Sequence, residues 1–356
     1  MAAYIARRIL LMIPTLFGIM LVTFVVTQFV PGGPVERLLA EIEGHSTTGL
    51  SGGKGEVRTV VKSDLYQGAQ GLDEERLNKL RTLYGFDKPP AERFLTMMKN
   101  FIVFDFGTSY YHHKSVVSLV ISKLPVSMSL GLWTFLIVYL TCIPLGIYKA
   151  VHDGSRVDVI SSTFILIGYA IPGFVLAILL IVLFGGGSFW NIFPLRGLVS
   201  DNWSELSLIS KILDYLWHMV LPITSSAVGS LAVMTLLTKN SFIEEIRKQY
   251  VTTARAKGLN ENQVLYKHVF RNAIIPIITG FPGSFITAFF TGSLLIETIF
   301  SLDGMGLLAY ESVMNRDYPV VLATLYFFTI IGLISRLLSD LSYVLVDPRI
   351  TFESVE

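Results

Sequence analysis

Six long stretches of nearly uninterrupted apolar sequence dictate what this chain becomes: 9–30, 124–148, 158–184, 216–238, 273–298 and 319–345. Crossing a hydrocarbon core of about 30 Å takes roughly 20 apolar residues in a helix. Each stretch is long enough, holds few or no ionisable groups, and is apolar all round. A soluble core helix of this length would keep a polar face. The expected fold is therefore all-α and integral to a membrane, a six-transmembrane-helix bundle. Pro14, Pro144, Pro172, Pro222, Pro276 and Pro282 fall inside these stretches. Lipid tolerates such breaks where neighbouring helices satisfy the freed carbonyls, which predicts a packed bundle rather than isolated anchors.

The charges sit where that reading requires. Only 15% of the 356 residues are charged, against about 25% in ordinary soluble domains. Residues 31–123 carry 23 of the 55 charged side chains. A net charge of +1 gives no footprint for nucleic acid. Cys142 is the single cysteine; it lies in an apolar run and reads as a small core residue. Arg7 and Arg8 precede the first stretch much as in a signal peptide. That stretch is longer than an h-region, and Pro31-Gly32-Gly33-Pro34 follows where a small-x-small cleavage site would stand, so it reads as a retained first helix.

Orientation follows from Lys and Arg in the short loops. With the N-terminus inside, inner segments collect Arg7, Arg8, Lys149, Arg156, Lys239, Arg247, Lys248, Arg255, Lys257, Lys267, Arg271 and Arg349, against Arg196, Lys211 and Arg316 in the short outer loops. Both termini are expected in the cytoplasm. The chain then divides into 1–30 (N-terminus and first helix), an extracytoplasmic helical insertion at 31–123, and a five-helix core at 124–356. Within the insertion, 44–71 is Gly/Ser-rich and reads as flexible. Leu72, Leu77, Leu80, Leu83 and Tyr84, then Phe94, Leu95, Met98 and Phe101 after Pro89-Pro90, carry helical spacing and predict a small outer cap.

Catalytic patterns do not assemble. His112-His113 is a pair in a polar loop, ordinarily solvated rather than metal-binding. Gly52-Gly53-Lys54-Gly55 lacks the Ser/Thr after lysine and the upstream glycine spacing of a phosphate loop. Gly49-Leu50-Ser51-Gly52 resembles a nucleophile elbow but has no base near it. No catalytic residue, metal ligand or ATP site is expected in this chain, and it is not expected to be an enzyme. Inside the spans, Arg336 and Asp340 stand four apart on one helical face, suited to pair with each other or snorkel. Glu297 reads as an interfacial acid at the outer end of the fifth span. A proton relay would need ionisable groups nearer mid-membrane, so the driving energy is expected from a partner.

The most informative segment is 239–272, an inner loop with seven Lys/Arg against three Asp/Glu. Ile243, Ile246, Tyr250 and Ala254 share one helical face, and Gly258 stands at a C-cap position. Asn260 with Gln263 makes a capping-box pattern that opens a second helix. The ordinary reading is a solvated amphipathic loop; the sharper one is a docking knob for a cytoplasmic partner.

The stretch Tyr250-Val-Thr-Thr-Ala-Arg-Ala-Lys-Gly258, with His268-Val-Phe-Arg-Asn272-Ala and Pro276, resembles the EAA loop of binding-protein-dependent ABC importer permeases of the dipeptide and oligopeptide type. Thr252 and Thr253 occupy the Glu and first Ala places, Ala254 and Gly258 keep theirs, and Arg271 stands where the general pattern has proline. Tyr84-Gly-Phe-Asp-Lys-Pro89, Phe104-Asp-Phe-Gly107, Glu297-Thr-Ile-Phe-Ser301 before Gly304-Met-Gly306, Arg316-Asp-Tyr-Pro319 and Asp347-Pro-Arg349 are similar to that family too. Phe193-Pro-Leu-Arg-Gly-Leu-Val-Ser200, Asp214-Tyr-Leu-Trp-His218 and Lys239-Asn-Ser-Phe242 resemble its Yej-type branch. The resemblance implies the type I permease bundle, half of a pathway for oligopeptides and microcin C-like peptide-nucleotides. It implies as partners a second homologous permease, an ATPase with two nucleotide-binding modules that binds ATP and Mg, and a periplasmic peptide-binding protein. Tyr250, Thr252, Thr253, Ala254, Arg255, Ala256, Lys257 and Gly258 would be the ATPase-coupling loop. It names no residue lining the pathway. An ion-coupled secondary transporter and a polytopic membrane enzyme are the alternatives, each lacking its required constellation inside the spans.

With Cys142 replaced by Ser, a cysteine at Gly53 is expected to react from outside with a membrane-impermeant thiol reagent, and one at Gly258 to be protected. Equal labelling of the two would reject the proposed topology.

Overall fold

The computed structural model describes residues 2–29, 88–185, 189–290 and 292–346. The Gly/Ser-rich stretch 44–71, the first part of the expected outer cap and Asp347-Pro-Arg349 lie outside these. The described residues are almost wholly helical, and four helices are long and apolar enough to cross a membrane. They are α1 (Ala2–Phe29), α3 (Val116–Val151), α6 (Leu208–Ile246) and α12 (Tyr318–Val346). Two bent pairs bring the number to six if each pair counts as one span. The first is α4 (Arg156–Ala170) with α5 (Gly173–Leu180), which continues as a π-helical turn to Gly185. The second is α8 (Glu261–Ala273) with α9 (Ile275–Phe290). A short α2 (Pro90–Ile102) precedes α3; α7 (Gln249–Ala256) lies between α6 and α8. After α9 come α10 (Leu294–Ile299) and α11 (Met305–Met314).

Two of the expected spans are bent at their prolines. Pro172 drives Ile171 out of the helical region to φ −88°, ψ 118°, as proline does to the residue before it, and the two halves meet at 94°. Pro276 has no N–H to continue the ladder, and α8 and α9 meet at 52° beside it. The fifth stretch also ends early. Gly292 passes so close to Gly306 that an added Cβ would lie 2.2 Å from its backbone nitrogen, and α10 restarts as a separate helix. Pro14, Pro144, Pro222 and Pro282, by contrast, sit within continuous helices.

The chain forms two compact units. One comprises Phe17–Ser118 and Ser312–Leu325. There Phe94 of α2 packs edge-on against Phe17 of α1, with ring centroids 5.4 Å apart, and also against Phe24. Buried Asp317 accepts from the Ser109 hydroxyl and, at 2.9 Å, from the Tyr110 N–H.

The larger unit comprises Met1–Leu16, Leu119–Glu311 and Tyr326–Glu356. In one core, Leu130, Ala177, Met219, Leu221, Ile296 and Phe300 join α3, α5, α6 and α10. In a second, Cys142 packs with Val138, Ala227 and Ile277, so the lone cysteine is the small core residue its context suggested. Asp340 does not pair with Arg336. Its carboxylate meets Arg8 at 2.9 Å and the Tyr4 hydroxyl at 3.1 Å, tying α1 to α12.

Two charged side chains are buried among internal partners. Glu297 is fully buried within the chain. It accepts from Ser127 Oγ at 3.1 Å, Ser293 N at 3.2 Å and Leu307 N at 2.7 Å. A Cβ at Gly304 would lie 2.5 Å from its carboxyl carbon, so the glycines of Gly304-Met-Gly306 let backbone close round this carboxylate. Lys149, counted above as a loop cation, is also fully buried. Its ammonium donates to the Asp158 carbonyl (2.8 Å), Ser161 Oγ and Ser162 Oγ (both 2.7 Å) and lies 3.0 Å from the Asp158 carboxylate. Lys239 on α6 meets the other oxygen of Asp158 at 2.7 Å and Asp153 at 2.9 Å. This polar clasp joins the ends of α3, α4 and α6.

Removing one partner of a buried ion pair costs about 3–5 kcal/mol, because the other is left uncompensated. Among the described residues, Asp158→Asn deprives Lys149 of its only carboxylate and Lys239 of one of two, whereas Lys149→Met leaves Asp158 paired with Lys239. Thermal unfolding in detergent should therefore give a lower Tm for Asp158→Asn than for Lys149→Met, both below wild type. The reverse order would show that Asp158 is not the hub of the clasp.

Candidate functional site

α6 ends at Ile246, where the Arg247 N–H turns back to the Ile243 carbonyl. Lys248 is extended (φ −75°, ψ 149°) and starts α7. The expected single helical face through Ile243, Ile246, Tyr250 and Ala254 is therefore split between two helices. All four still meet in one core with Phe242, Val251, Val264 and Ala150, because the bend carries the apolar side of α7 onto α8 and the end of α3.

The end of α7 is a Schellman cap. The Leu259 N–H reaches the Ala254 carbonyl at 3.4 Å and the Gly258 N–H reaches Arg255 at 2.9 Å, the 6→1 and 5→2 pair of that motif. Gly258 supplies the left-handed residue at φ +83°, a conformation that costs an L side chain about 1–2 kcal/mol. Leu259 packs into the same core as Ala254. The reciprocal capping box then opens α8: Gln263 N–H to Asn260 Oδ1 at 2.8 Å, Asn260 N–H to Gln263 Oε1 at 3.3 Å. Val264–Val269 is π-helical. Arg255 spans the turn with a two-pronged bond to Glu261, at 2.9 and 3.0 Å.

The eight residues singled out from sequence divide by direction. Ala254 is buried in this chain's own core, so it supports the elbow from inside; a larger side chain there would break the elbow itself. Thr252, Thr253, Arg255, Ala256, Lys257 and Gly258 are exposed together, a small, cationic and hydroxylated surface. Tyr250 is half-buried. Its hydroxyl donates to Glu245 at 2.6 Å and accepts from Asn272 Nδ2 at 3.2 Å, linking α6, α7 and α8. Burial and the Glu245 carboxylate push its phenol up to about 12. The neutral phenol is thus the form held in the fold; its contribution is complete below the ordinary tyrosine range and is lost as pH rises from there towards 12.

Sequence reasoning missed the clasp behind this elbow. Ala150, next to Lys149, belongs to the elbow core, and Arg247, at the end of α6, reaches Asp153 at 3.4 Å. The available signal was Ser161-Ser162 following Asp158, an unusually polar start for a span.

The Binding-protein-dependent transport system inner membrane component family model matches residues 142–352, which include the elbow and the clasp. Over 99% of both chains, the sequence is 58% identical to the peptidoglycan transport system permease protein YejB of Agrobacterium fabrum. It is 54% identical to the inner membrane ABC transporter permease protein YejB of Escherichia coli O157:H7, over 99% of this chain and all of that one. Identity to the oligopeptide transport system permease protein AppB of Bacillus subtilis is 32%, again over 99% of this chain and all of the relative.

Loss of a hydrogen bond to a charged group costs about 1.5–3 kcal/mol. Tyr250→Phe should therefore speed amide hydrogen exchange across 249–259 by roughly 10–150-fold, leaving the centre of α6 unchanged. Unaltered exchange in the elbow would remove Tyr250 from its support.

Proposed function

Because the chain belongs to the binding-protein-dependent transport system inner membrane component family, we propose that it is the permease subunit of an ATP-driven peptide importer in a bacterial inner membrane. It forms half of the translocation pathway and hydrolyses nothing itself. Its relatives carry names that specify peptidoglycan and oligopeptide transport; the cargo proposed here is oligopeptide, with microcin C-like peptide-nucleotides as a further class.

Each bent pair is taken as one crossing, giving six spans with both termini in the cytoplasm. Residues 31–123, which include α2, form the small extracytoplasmic domain, and 124–356 the core. The partners are a second homologous permease, an ATPase that holds ATP and Mg between two nucleotide-binding modules, and a periplasmic peptide-binding protein.

The observation that carries this reading is the rigid elbow at Gly258. A turn transmits a push only if its shape is fixed, and this one is fixed by the Schellman cap, the capping box and the Arg255–Glu261 fork. Its exposed side supplies small residues for close approach at Thr252, Thr253 and Ala256, and cations at Arg255 and Lys257 for a polar groove rim. Its inner side is continuous with the core holding α3 and α6. Closure of the ATPase modules would move the elbow as one body and, through that core, the helix ends behind it. An ion-coupled transporter would use Lys149, Asp158 or Glu297 as its relay, but each is already committed to internal partners near helix ends.

Gly258→Val is expected to leave the bundle folded while lowering peptide-stimulated ATP hydrolysis and uptake together, by about tenfold for each 1.4 kcal/mol of elbow strain that reaches docking. Ala256→Trp, on the exposed side, should do the same by steric exclusion. Reconstitution with the partners, reading complex recovery, ATPase stimulation and uptake, is the test. Normal stimulation and uptake in both variants would reduce the elbow to a solvated connector. Uptake that survives ATP depletion but not collapse of the proton gradient would favour the ion-coupled reading.

A further inference from the structure

The clasp holds a second carboxylate that neutralising Lys149 does not require. Asp158 already meets Lys149 and Lys239, and those three side chains are nearly dry. Asp153 lies in the turn between α3 and α4, and its side chain is 41% exposed. One of its oxygens meets Lys239 at 2.9 Å and the other meets Arg247 at 3.4 Å. These cations stand about two turns apart on α6 and its C-cap, so one carboxylate brackets the inner end of that helix. The turn carrying Asp153 is itself fixed. The Ser155 N–H returns to the His152 carbonyl at 3.0 Å, and the Gly154 N–H reaches the Asp158 carboxylate at 3.0 Å. The acids beside Arg247 are turned elsewhere: Glu245 takes Lys248 and the Tyr250 hydroxyl, and Glu244 lies 3.9 Å from Lys248.

α6 is held unevenly along its length. Midway, within the larger unit, α3, α6 and α9 surround an open cavity of about 890 Å3. No Asp, Glu, Lys, Arg or His lines it among the described residues. At Gly229 and Gly280 in its wall, a Cβ would meet nothing within 4 Å. Nearer the clasp α6 touches α3 directly, since a Cβ at Gly146 would lie 2.5 Å from Thr238 Cβ. Past Thr238 the last two turns of α6 run on to the elbow, seated on the apolar core of Ala150, Phe242 and Val251. Apolar contacts exchange for one another as surfaces slide. An ion pair sets one oxygen against one cation and so fixes the position along the slide.

Resting on the importer reading, we propose that Asp153 is a positioning residue for coupling. By holding Lys239 and Arg247 it seats the root of the elbow on the α3–α4 turn, so that a push on the elbow moves α3 and α4 together with α6. The joint between α6 and α7 falls at Lys248, which is extended. With its root unbraced, the elbow would flex the end of α6 alone and the push would be lost there. The polar contacts run inward in series. Tyr250 and Lys248 hold Glu245 on the last turn of α6, Arg247 follows at its end, and Asp153 passes to Lys239, Asp158 and Lys149. Exposure separates Asp153 from Asp158: neutralising it strands no buried cation, because Lys239 keeps Asp158.

The test uses the importer reconstituted with its ATPase, second permease and peptide-loaded binding protein, and reads ATP hydrolysed per peptide taken up. Asp153→Asn should leave complex recovery and basal ATP hydrolysis at wild-type levels and shift Tm by no more than about 3 °C. ATP per peptide should rise about twofold to fivefold. Asp153→Glu should return most of the coupling. Arg247→Gln should raise the ratio, and the double variant should be no worse than Asp153→Asn alone, as two members of one link behave in a double-mutant cycle. An unchanged ratio for Asp153→Asn beside a coupled wild type overturns the proposal. So do multiplied effects in the double variant, or a fall in Tm as large as that of Asp158→Asn, which would make Asp153 one more structural member of the clasp. An assembled, ATP-hydrolysing wild type with no ATP-dependent peptide uptake overturns the importer reading itself, and the brace with it.

Discussion

Lys149 has its ammonium group wholly out of solvent, and the ends of three helices are arranged to answer it. A lysine so placed needs an opposing charge and acceptors round it, and leaving it uncompensated costs the fold about 3–5 kcal/mol. Asp158 supplies the opposing charge, Ser161 and Ser162 the remaining acceptors, and Lys239 shares the carboxylate from the facing helix. The requirement is geometric as well as electrostatic. α4 must start where Ser155 caps it and Gly154 turns at φ +76°, with its N–H on the same carboxylate at 3.0 Å. α6 must run far enough for Lys239 to arrive beside Asp153. Once those ends are fixed, the apolar core shared by Ala150, Phe242 and Val251 follows, and the elbow has a floor to rest on.

What the sequence disclosed divides by range of interaction. Gly258 and the Asn260–Gln263 box were legible because each is a local device: a residue type, a spacing, and hydrogen bonds within six positions. The spans were legible because their signal is summed over some twenty residues. Lys149 was misread because a cation next to an apolar run is normally a loop charge; only the fold brings Asp158, Ser161 and Lys239 round it. The burial of Glu297 was illegible for the same reason, since its partners Ser127 and Leu307 lie far along the chain on one side and ten residues on the other. Ala254 was assigned its place by pattern, and its direction depended on a bend after Ile246 that periodicity, continuing straight through Lys248, could not register. Pro172 was visible, but its consequence, a 94° turn rather than a tolerated kink, depends on how α5 then packs on α6.

Buried Glu297 also explains why small residues recur at particular places. Glu297 is met by backbone N–H groups and one serine, so the chain must come within hydrogen-bond reach along several residues at once. Gly292, Gly304 and Gly306 lie where any Cβ would collide with that carboxylate or with each other's backbone. The link from Glu297 through Ser127, whose hydroxyl also accepts from Met305 N at 2.8 Å, fixes α3 to the α10–α11 turn. Lys149 and Lys239 bind α3 at its other end. One helix is therefore held at both ends by polar clamps, and the contacts along its middle are apolar, hydroxyl or glycine.

That division of labour bears on how such a bundle could change shape. Moving an ion pair apart in a dry interior is expensive, whereas sliding one hydroxylated or apolar surface past another exchanges contacts of similar worth. A helix clamped at its ends and lined in the middle by Thr134, Phe135, Val138 and Tyr139 would therefore tilt or bow as a body instead of breaking its clamps. The interfaces free to rearrange are those round the uncharged cavity, where the open backbone at Gly229 and Gly280 leaves room for it. Motion delivered at the elbow would then reach the cavity through α3 and α6 with the clasp intact. Charges thus sit at the clasp and round Glu297, and the wall between α3, α6 and α9 carries none among the described residues.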